Sequence, residues 1–419
     1  MSFLTSAESP LLYHFNASCE MAVGNGLPTY TAPEFIRQFE KELELLPLYL
    51  AGKSDYLLLE NPPSEQFLEN ISVIKPELPQ LFTQKQLLKA LQNNLPLNGL
   101  KPWGWSPAEH KLLEVYKPFC SMKFSMQSNS TWKADHKELY SRKTALNLLF
   151  EFIDHAENKE LFVSEEYLPQ ICKTIDEVET LMLKWRNLVV KAPWSSSGRG
   201  LIVLCQGDFH PTYKKWINGV IKGQGYAMVE PMLDKVCDLS FHYEIKENKE
   251  VKFLGQASFS TTVGGQYIGN NVQPFPKNLS AEIYKFMDAE NINTIKSGLQ
   301  KALQNSNIFR NYTGVLGIDV LLYKTESGEL KFQPCLEINL RQNMGTVALA
   351  IRNLLPENSE GMWQIKYFSE KDSNISLDFH RQMQKKHLQI VQNGNLAKGY
   401  LPLIEPYKNR KFALYLLID

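Results

Sequence analysis

The sequence has no surplus of charge of either sign. Lys and Arg total 45, Asp and Glu total 45, and the formal net charge is zero. General nucleic-acid binding needs a positive field to meet phosphates, so this balance argues against that class while leaving room for a local basic patch. No apolar run approaches the ~20 residues of a membrane span, so no membrane segment is expected. The first residues, MSFLTSAESPLLYHF, have neither a basic n-region nor a long apolar h-region, so no secretory signal is expected. Cysteine is sparse, with six residues at Cys19, Cys120, Cys172, Cys205, Cys237 and Cys335. None makes a CxxC pair or a zinc-like spacing, so the expectation is buried free thiols in a reducing, cytoplasmic compartment. Internal repeats and long low-complexity segments are also lacking.

What is present is a soluble globular mixture, 43% apolar and 21% charged. A chain of 419 residues is too long for one hydrophobic core, so two to four packed units are expected. Strands and helices alternate through the first third, as in a small α/β domain. Leu11 to Phe15 reads as a strand, and Tyr56 to Leu59 as another, ended by Asn61-Pro62-Pro63. Thr31-Ala-Pro-Glu34 reads as a capping box opening an amphipathic helix from Pro33 to Leu46. Further helices are expected near Ser64–Asn70, Thr83–Asn93 and Pro107–Tyr116. After a turn-rich stretch from Ser121 to Trp132, Asp135 to Glu138 reads as the cap of one helix and Thr174 to Glu177 as the cap of another. Strands are expected at Leu188–Lys191, through Leu201–Phe259, at Gly317–Tyr323, at Leu330–Leu340 and at Phe412–Ile418. Helices are expected at Ser280–Leu303, at Thr346–Leu355 and at Phe379–Gln392, the last stopped by Asn393-Gly394.

The segment VVKAPWSSSGRGL is the most informative. An apolar strand ends at Lys191, the residues from Ser195 to Gly200 are small or flexible apart from Arg199, and a second strand comes next. Such a strand–loop–strand can fold over a phosphate chain, because glycine has no Cβ to hold backbone N–H groups away. It does not match GxxxxGK[ST], and the loop leads into a strand rather than the helix of a dinucleotide GxGxxG. A plain hairpin turn is the simpler alternative, although hairpins usually need fewer such residues.

A second signal is GIDVLLYK followed by FQPCLEINLRQNMG. Side chains two apart on a strand share a face, so Glu337, Asn339 and Arg341 are expected to point together, with Asp319 joining them if the strands pair. Two carboxylates and an amide oxygen suit Mg²⁺, which also keeps phosphates and waters in its shell. Arg341 beside them could neutralise a phosphoryl group or grip a carboxylate. Leu336, Ile338 and Leu340 give the opposite, dry face. The alternative is the exposed polar face of an ordinary antiparallel sheet.

In their order along the chain these parts resemble the ATP-grasp superfamily, from roughly Lys143 to Ala350. The resemblance implies an α/β (α+β) chain: an ATP-grasp fold of two α+β lobes behind an N-terminal α/β domain. The expected divisions are 1–130 for that N-terminal domain, 131–228 and 229–355 for the lobes, and 356–419 for a C-terminal helix–strand segment packing on the lobes. It implies that Lys143 opens the first helix beside the nucleotide phosphates and that Lys191 reaches phosphates and adenine. Ser195, Ser196, Ser197, Gly198, Arg199 and Gly200 would form the lid. Glu230 would be the hinge acid, with Pro231, Met232 and Leu233 along the adenine edge. Pro231 has no N–H, so the donor to the ring would be Met232 or Leu233. Asp238 would hold ribose. Asp319, Glu337 and Asn339 would ligate two Mg²⁺ ions, and Arg341 would stabilise an acyl-phosphate. Arg142 stands where an acid often precedes the lysine, and Asp319 is shorter than the Glu that many members use.

The implied activity is ATP-dependent ligation of a small-molecule carboxylate to an amine or similar nucleophile. A kinase on the same scaffold, or a nucleotide-binding regulatory protein, are the alternatives. Gln256, Ser258 and Ser260 could face the phosphates or be plain strand residues. Pro102-Trp103-Gly104-Trp105 could line a pocket or pack in a core.

Overall fold

The computed structural model describes residues 10–195, 200–207, 209–262, 265–369, 373–392 and 394–419. The N-terminal part is a four-stranded parallel sheet in the order Gln80–Phe82, Tyr56–Leu58, Leu11–His14, Gly99–Pro102. Its strands are short and apolar, and Leu12 and Leu57 are fully buried between layers. Three helices of this part begin on side-chain caps: Ser64 accepts from Phe67 N, Ser106 from Glu109 N, and Thr83 forms a complete capping box with Gln86. The box expected at Thr31 does not form. Pro33 itself occupies the N-cap of helix Glu34–Glu42, which leaves Thr31 two residues outside the cap position. That helix ends on a buried acid. Glu42 accepts the backbone N–H groups of Lys411 and Phe412 at 2.8–3.0 Å, tying the N-terminal domain to the last strand.

The helix expected from Asp135 breaks in two. Asp135 makes no cap bond to the short helix His136–Leu139, and the long helix Arg142–His155 starts afresh on Ser141, whose Oγ accepts from Thr144 N. A small antiparallel sheet comes next, in the order Gln170–Cys172, Ala227–Pro231, Asn187–Lys191, Leu201–Cys205. Helices Ile175–Lys184 and Pro211–Gln224 cover it through Val178, Met182, Leu188, Val190 and Ile217. The first of these helices carries the expected Thr174–Glu177 box.

A nine-stranded antiparallel sheet forms the rest, in the order Leu330–Asn339, Gly314–Lys324, Asp234–Ile245, Val251–Thr261, Tyr267–Asn271, Gly361–Tyr367, Phe412–Ile418, Asn395–Pro402, Ile390–Gln392. The C-terminal strands therefore extend the same sheet rather than only packing on it. Leu239, Phe241, Tyr243 and Ile245 alternate into the core beneath helices Arg142–His155 and Ala289–Asn305. The region read as one helix, Ser280–Leu303, is two, because Asp288 caps the second by accepting from Asn291 N. The helix Ile375–Lys386 ends earlier than expected. Gln392 pairs with Asn395, so the chain turns back here as a hairpin and no helix is stopped. Asn393 itself lies outside the described residues. Cys19, Cys172, Cys237 and Cys335 are buried thiols, Cys120 is half-buried and Cys205 is exposed. Among the described residues no helix is long and apolar enough to cross a membrane.

Candidate active site between the two antiparallel sheets

Paired strands carry the acids. Asp319 lies opposite Glu337 and Gly317 opposite Asn339, so the three polar side chains project from one face. Asn339 Nδ2, with the amide orientation assigned from its neighbours, lies 3.4 Å from Asp319 Oδ2. Burial, and after it the charge of Glu337, push the Asp319 carboxyl up to about 8, while Arg341 pulls it down. Asp238 is on the same face of the next strand, opposite Leu321. Its carboxylate already receives Lys235 Nζ at 2.7 Å and the Thr261 hydroxyl at 3.3 Å.

Arg341 does not continue the alternation that the sequence predicts. The strand ends at Asn339, because the next segment crosses to the N-terminal domain, where Gln342 N donates to Trp103 O at 2.7 Å. The guanidinium still turns back, donating to Asn339 Oδ1 at 2.9 Å. Glu20, from helix Cys19–Asn25, grips it at 3.0 and 3.1 Å. Burial opposes the Arg341 charge, but the Glu20 carboxylate holds its pKa above the ordinary value. The chain packs so closely here that a Cβ on Gly104 would come within 2.5 Å of Cys19 Sγ and 3.0 Å of Arg341 Cβ.

The small sheet supplies the other wall. Lys191 lies opposite Met228 and Glu230 opposite Val189, which sets Lys191 and Glu230 diagonally on one face. Lys191 Nζ is 2.5 Å from Glu230 Oε2, and both side chains are nearly buried. Pro231 is buried and Met232 is exposed. The Met232 N–H donates to Asn187 O at 2.9 Å, so of the two expected adenine donors Leu233 is the one left. Ala192 N donates to Gly200 O at 2.7 Å and closes the base of the loop. A Cβ on Gly200 would lie 2.1 Å from Ser195 Cβ, so this base admits only glycine without a shift. Ser196, Ser197, Gly198 and Arg199 lie outside the described residues.

At the start of the long helix the structure brings in a residue that the sequence reading passed over. Lys143 is exposed, and its backbone N–H donates to the Tyr226 hydroxyl. Arg142 points inward instead, 8% exposed. Its Nε donates to Ala192 O at 3.1 Å, and its terminal nitrogens lie 3.4 Å from Ser195 Oγ and from Glu337. Burial opposes this charge, while Glu337 and then Glu230 hold the pKa of Arg142 above its usual value. Arg142, Ser195, Glu337 and Glu20 therefore line one narrow cleft, together with Trp194.

No protein-family model matches the sequence, and no curated protein is similar to it. Solved structures do align over nearly the whole chain. The biotin carboxylase of Campylobacter jejuni, in its beta-gamma-ATP complex, superposes with a TM-score of 0.52 at 12% identity, over 98% of this chain and 88% of that one. Rhizobium etli pyruvate carboxylase gives 0.52 at 11% identity, over 98% of this chain and 36% of that one. The N5-carboxyaminoimidazole synthetase of Staphylococcus aureus, complexed with ADP, gives 0.46 at 10% identity, over 98% and 93%. The first two decide the architecture. This chain has the ATP-grasp fold.

Within the ATP-grasp fold the donor set fits a magnesium nucleotide. The Asp319 and Glu337 carboxyls face each other, and the Asn339 amide lies beside them, with Nδ2 toward Asp319 and Oδ1 on Arg341. Among the described residues no three His, Cys, Asp or Glu side chains close on one point. Two carboxylates and an amide suit a hard cation that completes its shell with phosphate and water oxygens. Arg142 NH1 is buried without an aligned hydrogen-bond acceptor, as a phosphate oxygen would require.

Two further residues were missed. Glu20 carries no local motif, since only folding brings it to Arg341. His242 was legible: Asp238, Ser240, His242 and Glu244 alternate along one strand otherwise rich in apolar residues. His242 is 1% exposed, its Nε2 lies 2.9 Å from Ser240 Oγ, and burial with Arg352 nearby lowers its pKa to about 3. The reverse holds for Ser258, which pairs with Leu239 and bonds to Asn271 on the face turned away from the acids.

Proposed function

We propose that the protein is an ATP-dependent ligase that activates a carboxylate as an acyl-phosphate and joins it to an amine or similar nucleophile. The carrying observation is the cleft in which Glu337 faces Asp319 on one side and Arg142 on the other, with Ser195 and the loop base above. The ATP-grasp fold and the ATP complex of the Campylobacter jejuni enzyme support the nucleotide. Asp319, Glu337 and Asn339 would hold a magnesium ion, which would supply charge neutralisation at the phosphate oxygens. Arg142 and Lys191 bind and orient the phosphates, Leu233 meets the adenine edge, and the loop from Ser195 to Gly200 excludes water. The substrate carboxylate oxygen attacks the γ-phosphorus, the bond to the β-phosphate oxygen breaks, and ADP leaves. The nucleophile then adds at the acyl carbon, the C–O bond to phosphate breaks, and phosphate leaves. Arg341, fixed by Glu20 and Asn339, offsets the negative charge on the acyl-phosphate. The divisions proposed are the N-terminal domain to residue 130, a small-sheet lobe to Pro231, and the large-sheet lobe, which the C-terminal strands extend.

The test is ADP release with Mg²⁺ and a panel of small carboxylates, run with hydroxylamine as the trapping nucleophile. Hydroxamate formed by wild type and lost in a folded Glu337→Ala variant supports the ligase. A stable phosphoester in place of hydroxamate points to a kinase, and MgADP binding without turnover on any carboxylate points to a regulatory protein. Either result rejects the proposal.

A further inference from the structure

Beside the nucleotide cleft lies a chamber of roughly 750 Å³ between the N-terminal domain and the large sheet. That is the size of a small-molecule site. Lys101, Trp103 and Trp105 form one wall, Glu244 and Tyr312 the other, and Arg341 with Gln342 closes the inner end. The chamber therefore begins at the guanidinium that also holds Asn339. Two contacts join its sides, Gln127 donating to Glu247 and Asn129 to Thr313 O at 3.0 Å, and the chamber stays open to solvent. Trp103, Trp105 and Tyr312 are each at least nine-tenths buried and show only their edges among the polar and charged groups of the lining.

Those charges can be paired off. Arg341 is held by Glu20, Lys123 is 3.7 Å from Glu247, and Lys246 is 2.9 Å from Glu250. Two charged side chains of the lining are left with no ion-pair partner among the described residues, one of each sign: Lys101 and Glu244. Lys101 sits over the Tyr13 ring at 5.6 Å. Burial opposes its charge, but Tyr13 and Glu244 hold its pKa above the usual value, so it stays cationic. Lys101 and Glu244 attract each other without reaching ion-pair distance, and such charges on a partly buried wall are completed by a ligand that bridges them. One cation and one anion, set in an aromatic chamber that ends at Arg341, are complementary to a molecule carrying both a carboxylate and an ammonium.

We propose that this chamber binds a zwitterion, an unprotected amino acid or dipeptide, with its carboxylate at Lys101 and its ammonium at Glu244. The assignment rests on the ligase reading for its role as the substrate site. The des-amino carboxylate should lose the Glu244 contact, and the amide should lose the Lys101 contact.

The experiment is calorimetry on the full chain with the L-amino acids, simple dipeptides, and their N-acetyl and amide derivatives, beside a separate titration of MgADP. At least one zwitterion is expected to bind wild type. Capping either end should weaken it about tenfold or more, the loss of one charge-assisted contact. Glu244→Gln should produce the same loss for the zwitterion but none for its N-acetyl derivative. Lys101→Met should produce it for the zwitterion but none for its amide. Both variants should bind MgADP as wild type does. Failure of every zwitterion to bind a wild type that binds MgADP overturns the proposal and spares the ligase reading, as does equal binding of the capped compounds. Zwitterion binding without MgADP binding removes the ligase reading and leaves the chamber assigned.

Discussion

Replacing Arg142 by methionine separates what the structure says from what the helix-opening motif implied. The substitution keeps the buried stem and removes only the guanidinium. The guanidinium touches Ala192 O, Ser195 Oγ and Glu337, all at the mouth of the cleft. A charged hydrogen bond to a phosphate contributes about 1.5–3 kcal/mol, so losing it should weaken MgADP roughly ten- to hundredfold. The loss should fall in the upper part of that range, because Glu337 is then left without its cation and repels the phosphates. Folding should suffer less, by about 1 kcal/mol, since the Ala192 carbonyl loses one donor and keeps the Ser195 hydroxyl at 3.4 Å. Lys143→Met is the control: its side chain is exposed, and its MgADP affinity should stay within about twofold of wild type. Isothermal titration with MgADP, alongside urea unfolding of each variant, measures both effects. A folded Arg142→Met protein with wild-type affinity, or a larger loss in Lys143→Met, would refute the reasoning.

Three other outcomes are expected. Asp319→Asn should abolish magnesium-dependent turnover yet raise stability in metal-free neutral buffer by about 1 kcal/mol or more, since the buried Asp319 carboxyl, pushed up to about 8, must take up a proton to fold beside Glu337; an unchanged or lower denaturation midpoint would count against that geometry. Glu42→Ala should cost about 2–4 kcal/mol, because two backbone N–H groups lose their buried acceptor, and a midpoint near wild type would show that the tie to the last strand is dispensable. His14 pairs with Glu109 at 2.7 Å, and although burial opposes its charge, Glu109, Glu40 and Glu44 raise its pKa above 6.5. A raised folded value means that its stabilisation is complete below pH 6.5 and is lost as pH rises through the folded pKa. His14→Asn should flatten that part of the stability–pH curve, which thermal melts across the range would show.

Much of the local structure was legible because it depends on near neighbours. Strand alternation placed Asp319, Glu337 and Asn339 on one face, and the Thr83 and Thr174 caps each settle within four residues. Errors came where two local rules compete, as at Asn393-Gly394, a pair of residue types that serves a helix stop or a hairpin equally well. The deciding partner there was the strand Asn395–Pro402, which is itself held by its pairing with Phe412–Ile418.

The sequence by itself determined the order of chemistry along the chain: a lysine-ended strand, a glycine–serine loop, then paired strands bearing acids. Periodicity and turn residues act over a few positions, so they survive without a fold. Tertiary structure alone decided that Arg142 rather than Lys143 faces the cleft, since neighbours on a helix point about 100° apart and only packing selects between them. It also decided that Glu20, more than three hundred residues away in sequence, holds Arg341. Likewise it left Lys101 and Glu244 unpaired across one chamber. Contacts between charges far apart in sequence have no local signature, because a compact core brings them together only after its apolar faces have chosen their partners.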